Sequence, residues 1–347
     1  MQRVLLWGVC VSFIATIIGG HCVHAEEGNF ALQVSPSPLV TTVKPGESKI
    51  VELKIRNASP VDEDLKIEVR TFTVDKVSGD VVLDDTLAPG FAEWLTLPSP
   101  GFVVKAGQWS TQQIGISLPQ QTGFSYSFAL IISRNVDSST TASGQLLRGS
   151  VAVFTLINVD RPDATRQLEL VSFEPEHKVY EYLPATLTIK LKNTGNSIVQ
   201  PYGNLFIQRS SGDSTPLATL PVNDARGYIL PGTERTLRAT WEAGFPKYST
   251  TTDASGVTKT SLDWNIDHLR EIRFGKYTAR LVAVYNDGTR DIPITAEVSF
   301  WVIPWKSLAI IAIALIIIVL LLRHYLRRRT RKAVEKALRQ QKADQQS

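Results

Sequence analysis

Apolar and polar residues alternate one by one over residues 51–57 and again over residues 187–193. Each stretch ends at an asparagine, Asn57 in the first and Asn193 in the second. Alternation with a period of two is typical of a strand that buries one face, and asparagine tolerates the left-handed conformation of a turn. The pattern therefore predicts two equivalent strands, each followed by a turn at its asparagine.

Further signals repeat in the same order in both halves of the chain. A turn glycine, Gly107 or Gly232, precedes another alternating strand, and a glycine followed by a tyrosine comes after it. Short strands with regular turns indicate an all-β sandwich, and the repeat predicts two tandem immunoglobulin-like β-sandwich domains. The predicted limits are a signal peptide at residues 1–25, sandwiches at 26–162 and 163–303, a transmembrane helix at 304–324 and a basic cytoplasmic tail at 325–347.

An uninterrupted apolar run at residues 308–322 predicts a transmembrane helix. At 1.5 Å per residue the run covers roughly 22 Å of a hydrocarbon core about 30 Å thick, so neighbouring residues must extend it. Tryptophans before the run and arginines after it favour a membrane span over the alternative, a buried core helix. The residues expected at the membrane interface are Trp301, Trp305, Lys306, Arg323, Arg327, Arg328 and Arg329.

Charge after the span predicts its orientation. Residues 323–347 carry nine Lys or Arg against Glu335 and Asp344, which favours a cytoplasmic tail and an amino-terminal ectodomain outside the plasma membrane. Leu326, Val334 and Leu338 stand near helical spacing, so we expect the membrane helix to continue into the tail. The predicted topology is a single-pass protein.

The amino-terminal residues resemble a secretory signal. A basic start at Arg3 is followed by an apolar stretch at residues 4–20, and Val23 and Ala25 suit signal peptidase. Cleavage after Ala25 is the expectation, and an uncleaved membrane anchor is the alternative.

Charge and cysteine content narrow the function classes. The formal charge is +4, but the tail holds +7 and Arg3 adds one, which leaves about −4 on residues 26–322. This acidic balance argues against nucleic-acid binding. Cys10 and Cys22 both lie in the predicted signal peptide, so no disulfide is expected in the mature chain and its stability must come from hydrophobic cores.

Candidate chemistry is sparse. His177 and His268 are far apart, too few for a zinc site, and no nucleophile or phosphate-loop motif occurs, so we expect no enzyme, no metal and no cofactor. Acidic groups at residues 62–64, 84–85 and 286–288 have calcium-type ligands without the full spacing of a calcium loop. A glycoside hydrolase formed by two distant carboxylates stays open as an alternative.

Large aromatic rings and polar loop tips are the remaining candidates for binding. Trp241 alternates with core positions and is expected inside, whereas Trp109 and Trp264 lie among polar residues and are candidate ligand contacts. The polar tips at residues 137–144 and 249–256 are either flexible hairpin loops or contact surfaces.

Several motifs in the first half occur together in a known family. They are Val43-Lys44-Pro45-Gly46-Glu47-Ser48, Phe72-Thr73-Val74-Asp75, Glu93-Trp94-Leu95-Thr96, the stretch from Phe102 to Gly107, and that from Gly123 to Leu130. With these motifs, residues 30–134 resemble the first domain of WxL-interacting surface proteins of Gram-positive bacteria. The resemblance implies the predicted order of signal peptide, two immunoglobulin-like domains, membrane helix and basic tail. It also implies attachment to wall polymer through the first domain and to partner surface proteins through the second.

Two functions follow as hypotheses. The first is a membrane-anchored bacterial surface protein that binds cell-wall glycan (peptidoglycan) or another exported surface protein. The alternative is a membrane-anchored assembly chaperone, or a subunit of a secretion complex, that lends a sheet edge to a client strand. Neither requires a reactive group.

Overall fold

The computed structural model describes residues 30–74, 81–84, 91–98, 100–135, 149–209, 215–253 and 256–344. The predicted signal peptide, with its cleavage site at Ala25, and the loop tip at residues 137–144 lie outside the described residues. Over the described residues the chain is mostly β-strand up to Val302 and one long helix after it. This confirms the predicted all-β class followed by an apolar helix.

The first half contains two sheets that share one core. One has the strand order β1-β3-β9-β7 and the other β2-β11-β10-β4-β8, with a hairpin of β5 and β6 beside them. In the nomenclature of the immunoglobulin fold, β1, β3, β9 and β7 are strands A, B, E and D of one sheet. On the other sheet, β4, β10 and β11 are strands C, F and G. The elements are β1 (Leu32–Ser35), β2 (Leu39–Val43), β3 (Ser48–Asn57), β4 (Glu63–Arg70), β5 (Phe72–Val74), β6 (Val81–Leu83), α1 (Phe91–Trp94), β7 (Leu95–Thr96), β8 (Phe102–Val104), β9 (Trp109–Ser117), β10 (Ser125–Arg134) and β11 (Ser150–Val159).

The second half repeats the two-sheet arrangement, but its smaller sheet has three strands instead of four. Its sheets have the orders β12-β14-β17 and β13-β21-β20-β15-β16, and β18 and β19 form a separate hairpin that leads into a short 3₁₀ helix. The division into two independent domains stays a prediction. The elements are β12 (Leu168–Pro175), β13 (Val179–Tyr180), β14 (Ala185–Asn193), β15 (Tyr202–Gln208), β16 (Ala218–Val222), β17 (Glu234–Trp241), β18 (Lys247–Thr252), β19 (Thr258–Asp263), the 3₁₀ helix (Ile266–Glu271), β20 (Gly275–Asn286) and β21 (Asp291–Val302).

Each half buries its own hydrophobic cluster between its two sheets. Leu53 and Ile55 of β3 are fully buried in the first cluster, and Leu187 and Ile189 of β14 lie in the second. Trp241 is 1% exposed, so its predicted internal position is confirmed. The period-two pattern therefore identified the core faces of these strands.

The asparagines that end β3 and β14 do not behave as predicted. Neither takes the left-handed conformation, which falls instead on Gly107 (φ 73°) and Gly232 (φ 71°). Both asparagines are fully buried. Each side-chain amide donates to two backbone carbonyls, and each side-chain oxygen accepts the amide of the residue two positions later: Asn57 bonds Val61, Val104 and Ser59, and Asn193 bonds Ser197, Ile229 and Gly195. Buried backbone groups need partners, so each asparagine holds the turn that follows it through its side chain and not through a left-handed backbone.

The two halves touch through the segment that joins them. Ser125 donates its hydroxyl to the carbonyl of Asn196, and Asn158 accepts the amide of Ile198. Arg161 of the joining segment stacks on Phe124, with its guanidinium carbon 4.4 Å from the ring centroid. These contacts place the first half at the end of the second half opposite to the final helix.

That helix, α2 (Trp305–Asp344), follows β21 after only two residues. Residues Trp305–Arg331 are long and apolar enough to cross a membrane, and none of the apolar window is buried against the protein. The helix runs past the predicted limit at residue 324, as the helical spacing in the tail predicted.

Candidate functional site

β17 is an edge strand whose outer side pairs with no other strand that the structure describes. On its inner side it pairs with β14, from Lys192–Glu234 to Ala185–Trp241. The amide of Asn193 donates to the carbonyl of Thr233, so odd-numbered residues of β17 direct their backbone groups toward β14. The N–H and C=O groups of Glu234, Thr236, Arg238 and Thr240 therefore point to the open side.

In the first half, a strand occupies the position that corresponds to the open side of β17. There β9 pairs with β3 on one side and with β7 on the other, through Leu95–Ile116 and Thr96–Gly115. β7 is strand D of that sandwich, and the described part of the second half has no strand D. The repeat thus leaves one strand position empty beside β17.

A groove runs along the open side between β17 and β16, which is the edge strand of the opposite sheet. The cavity between them has a volume of about 420 Å³, within the range of natural ligand sites. Apolar side chains from both strands face it, and two arginines stand along β17. The lining includes Leu220, Pro221, Leu237, Ala239, Arg235 and Arg238.

A second cavity of about 410 Å³ continues the groove to the junction with the first half. Ala225, Arg235 and Thr236 line both cavities. The first half contributes an apolar wall in which Phe72 and Phe154 meet edge to face, with ring centroids 5.1 Å apart. The two cavities are neighbours with shared walls, and we name them together the edge groove.

Arg235 is the charged group at the middle of the edge groove. Its side chain is half-buried and donates a hydrogen bond of 3.1 Å to the carbonyl of Tyr228. Burial lowers the pKa of Arg235. A partly desolvated guanidinium favours a ligand that brings a carboxylate.

The two tryptophans predicted as ligand contacts are both exposed but lie far apart. Trp109 is 53% exposed at the start of β9, the end of that strand remote from the second half. Trp264 is 57% exposed, between β19 and the 3₁₀ helix, and packs edge to face on Phe245. Tyr180 and Tyr182 are buried. The structure does not bring the two candidate tryptophans together.

Three of the predicted interface residues lie where α2 leaves the second half. Trp301 and Trp305 are 44% and 57% exposed. The ammonium of Lys306 lies 2.7 Å from the carboxylate of Glu181. The arginines at 323, 327, 328 and 329 are exposed along the helix. The guanidinium carbon of Arg329 lies 5.5 Å from the centroid of the Tyr325 ring.

Acidic residues that were considered as calcium ligands form hydrogen bonds and an ion pair within the protein. Asp62 accepts the amide of Ala106, and Glu63 is buried in a two-bond ion pair with Arg134 at 2.7 Å. Asp287 accepts the amides of Thr289 and Arg290 within its turn, and these bonds lower its pKa to about 2. No group of three metal-ligating side chains occurs among the described residues.

Sequence reasoning missed the edge groove, although one signal was present. Between β4 and β9 the first half has 38 residues, and between β15 and β17 the second half has 25. The described part of the shorter connection contains β16 and no strand that pairs with β17. The difference in length marks the empty position.

No family model matches the sequence, and no curated protein matches it. Three solved structures illustrate the similarities. A protein of unknown function from Porphyromonas gingivalis W83 is 14% identical over 77% of this chain and 99% of its own, with a TM-score of 0.27. The class 5 fimbriae chaperone CfaA is 12% identical over 76% of this chain and 98% of its own, with a TM-score of 0.35. The E. coli chaperone DraB is 16% identical over 68% and 97%, with a TM-score of 0.32. Similarity at this level identifies neither the family nor the function of this chain.

Proposed function

We propose that this chain is a membrane-tethered surface protein that binds an extended segment of another exported protein along the edge groove. The observation that carries the proposal is the empty strand position beside β17. An added strand there would restore the four-stranded order found in the first half. Main-chain hydrogen bonds would supply the affinity, and the groove would select the side chains.

The groove defines the chemistry of the segment. Side chains that point inward would meet Leu220, Leu237 and Ala239, so alternate apolar residues are expected. Arg235 and Arg238 favour carboxylates on the segment. The same arginines disfavour pairing of β17 with β17 of a second copy, since charged edge residues oppose self-association.

The tether is the second part of the proposal. α2 has the length and hydropathy of a membrane span, and the excess of Lys and Arg beyond it favours a cytoplasmic tail. The sandwiches then face the cell exterior, where exported proteins are available. Binding through backbone pairing needs no catalytic group, which agrees with the expected absence of enzyme activity.

Binding to wall glycan has less support. Its candidate contacts, Trp109 and Trp264, belong to opposite ends of the ectodomain. The resemblance to WxL-interacting proteins, which implies both wall and protein attachment, stays a prediction.

Photo-crosslinking in the producing cells tests the edge groove. A photo-reactive phenylalanine replaces Thr236 in the full chain, and the matched control replaces Lys190, its cross-strand partner in the sheet interior. We expect a discrete adduct with an exported protein from position 236 and none from position 190. Mass spectrometry should place the crosslink in a segment with alternating apolar residues.

A proline variant tests whether backbone hydrogen bonds to β17 bind the partner. Arg238→Pro removes an outward N–H, which edge strands tolerate, whereas Arg238→Thr removes the same side chain and keeps the N–H. The adduct from position 236 should fall at least tenfold in Arg238→Pro relative to Arg238→Thr. An adduct that both variants retain equally, a self-adduct, or no adduct would each refute the proposal.

A further inference from the structure

Exposed apolar side chains surround the point at which α2 leaves the second half. Trp264, Ile266, Leu269, Ile272 and Phe274 are between 51% and 74% exposed, and Trp301 and Trp305 are 44% and 57% exposed. We name these seven residues the apolar collar. Soluble surfaces rarely leave so many large apolar side chains together in water.

Strand register places the collar at one end of the sandwich. Gly275 pairs with Val302, so Phe274 lies beside the last residue of β21. Phe245 forms a bridge with Ile272 and accepts a ring contact from Trp264, which brings β19 and the 3₁₀ helix to the same end. The collar therefore comes from separate elements that converge around the start of α2.

Direct contacts fix this end to the helix. The ammonium of Lys306 bonds the carboxylate of Glu181 at 2.7 Å, and the hydroxyls of Tyr182 and Ser307 share a hydrogen bond. Tyr248 of β18 donates to the same carboxylate at 3.1 Å. The second half thus cannot swing freely on a linker, and a membrane crossed by α2 would lie against the collar.

We propose that the apolar collar inserts into the interface of the lipid bilayer, at the boundary between headgroups and acyl chains. This inference rests on the membrane tether in the proposed function. Tryptophan rings favour that boundary, and apolar side chains of surface-lying segments are buried there. The exposed residues Arg270 and Lys276 stand between or beside the collar residues, where lipid phosphates would lie.

The collar suits lipid better than a protein partner because it is continuous with the span. It lies at the end of the sandwich from which the helix exits. Trp264, predicted as a ligand contact, is thereby reassigned to lipid.

Site-directed spin labelling of the full chain in phosphatidylcholine/phosphatidylglycerol vesicles tests the inference. With Cys10→Ser and Cys22→Ser as background, single cysteines replace Ile266, Leu269 or Phe274 in the collar. Ile311→Cys reports the span, and Ile50→Cys, at an apolar residue 66% exposed on β3, is the matched control. Collisions of each label with oxygen and with a water-soluble nickel chelate give its depth.

The collar labels should show an oxygen-to-nickel collision ratio at least about threefold above that of Ile50→Cys and below that of Ile311→Cys. Collar labels as accessible to nickel as Ile50→Cys, with Ile311→Cys deep in the bilayer, would overturn the collar and leave the tether intact. An aqueous Ile311→Cys would overturn the tether itself. Collar labels shielded from both reagents would show a protein contact and would also overturn the inference.

Discussion

At the residue scale, two buried asparagines hold equivalent corners of the two halves. Asn57 and Asn193 each end a B strand and make equivalent hydrogen bonds. The side-chain amide donates to the backbone carbonyl four residues later, and the side-chain oxygen accepts from the backbone amide two residues later. The sequence repeat located both residues. It did not reveal their role, because the partners of a side-chain amide depend on the tertiary structure around it.

Asn193→Ala should lower the free energy of unfolding by about 3 kcal/mol, because it removes three hydrogen bonds to the backbone from a fully buried site. Urea unfolding of the full chain in detergent, followed by tryptophan fluorescence, measures the change. Asn204→Ala, at an exposed asparagine of β15, is the control and should change the free energy by less than about 0.5 kcal/mol. Equal effects of the two substitutions would contradict a stabilising role of the Asn193 hydrogen bonds.

Asp287 provides a pH-dependent contribution to stability. Hydrogen bonds from the amides of Arg290 and Thr289, and then from the Thr289 hydroxyl, lower its pKa from 3.8 to about 2. A lowered folded-state pKa means that the stabilisation is present above about pH 4 and is lost as pH falls through about 2. Carboxyl NMR titration should find the low midpoint. Thr289→Ala should raise the pKa, and Thr289→Ser should preserve it; an unchanged pKa in Thr289→Ala would count against the hydroxyl bond.

At the element scale, the main lesson concerns β9 and β17, which alternate alike in sequence and differ in their neighbours. Alternation reports which face of a strand is buried, and it found Leu237, Ala239 and Trp241 on the core side. It carries no information about whether a strand has a neighbour on its second edge. The all-β class, the strands and the final helix could thus be predicted from the sequence, whereas the edge groove could not.

Hydrogen exchange should reveal the open edge of β17 in the full chain without a partner. The amides of Leu237 and Ala239 donate toward β14 and should be protected, while those of Thr236 and Arg238 should exchange at least about a hundredfold faster. Amide exchange measured by NMR on the chain in detergent micelles provides the test. Uniform protection along β17 would mean that another segment covers the edge.

The exposed residues between β19 and β20 show a second limit of pattern reading. Ile266, Leu269 and Ile272 follow each other at helical spacing, which ordinarily indicates a face turned toward a core. In the structure this face points outward beside α2. Apolarity alone does not distinguish protein interior from lipid, and only the neighbouring span resolves the two.

At the scale of the whole molecule, the predicted order is tail inside, span, second half at the bilayer and first half projecting outward. An impermeant maleimide tests this in spheroplasts, with Cys10→Ser and Cys22→Ser as background. Ile50→Cys should react in intact spheroplasts, and Ser347→Cys only after permeabilisation. The opposite labelling pattern would invert the topology and remove the proposed surface role.

The short connection between β21 and α2 has a mechanical consequence. Only Ile303 and Pro304 separate the last strand from the helix, and β21 is held alongside by β13 through the bonds Trp301 N–H to Lys178 and Ile303 N–H to Tyr180. When the first half is pulled away from the cell, tension enters the second half near β12 and leaves through β21. Parallel β13 and β21 are then drawn in opposite directions, so their bonds are strained together in shear. Single-molecule pulling of the full chain should show a lower rupture force in Trp301→Pro than in Trp301→Phe. The parallel pair of β13 and β21 would thus be the element that resists mechanical force applied from outside the cell.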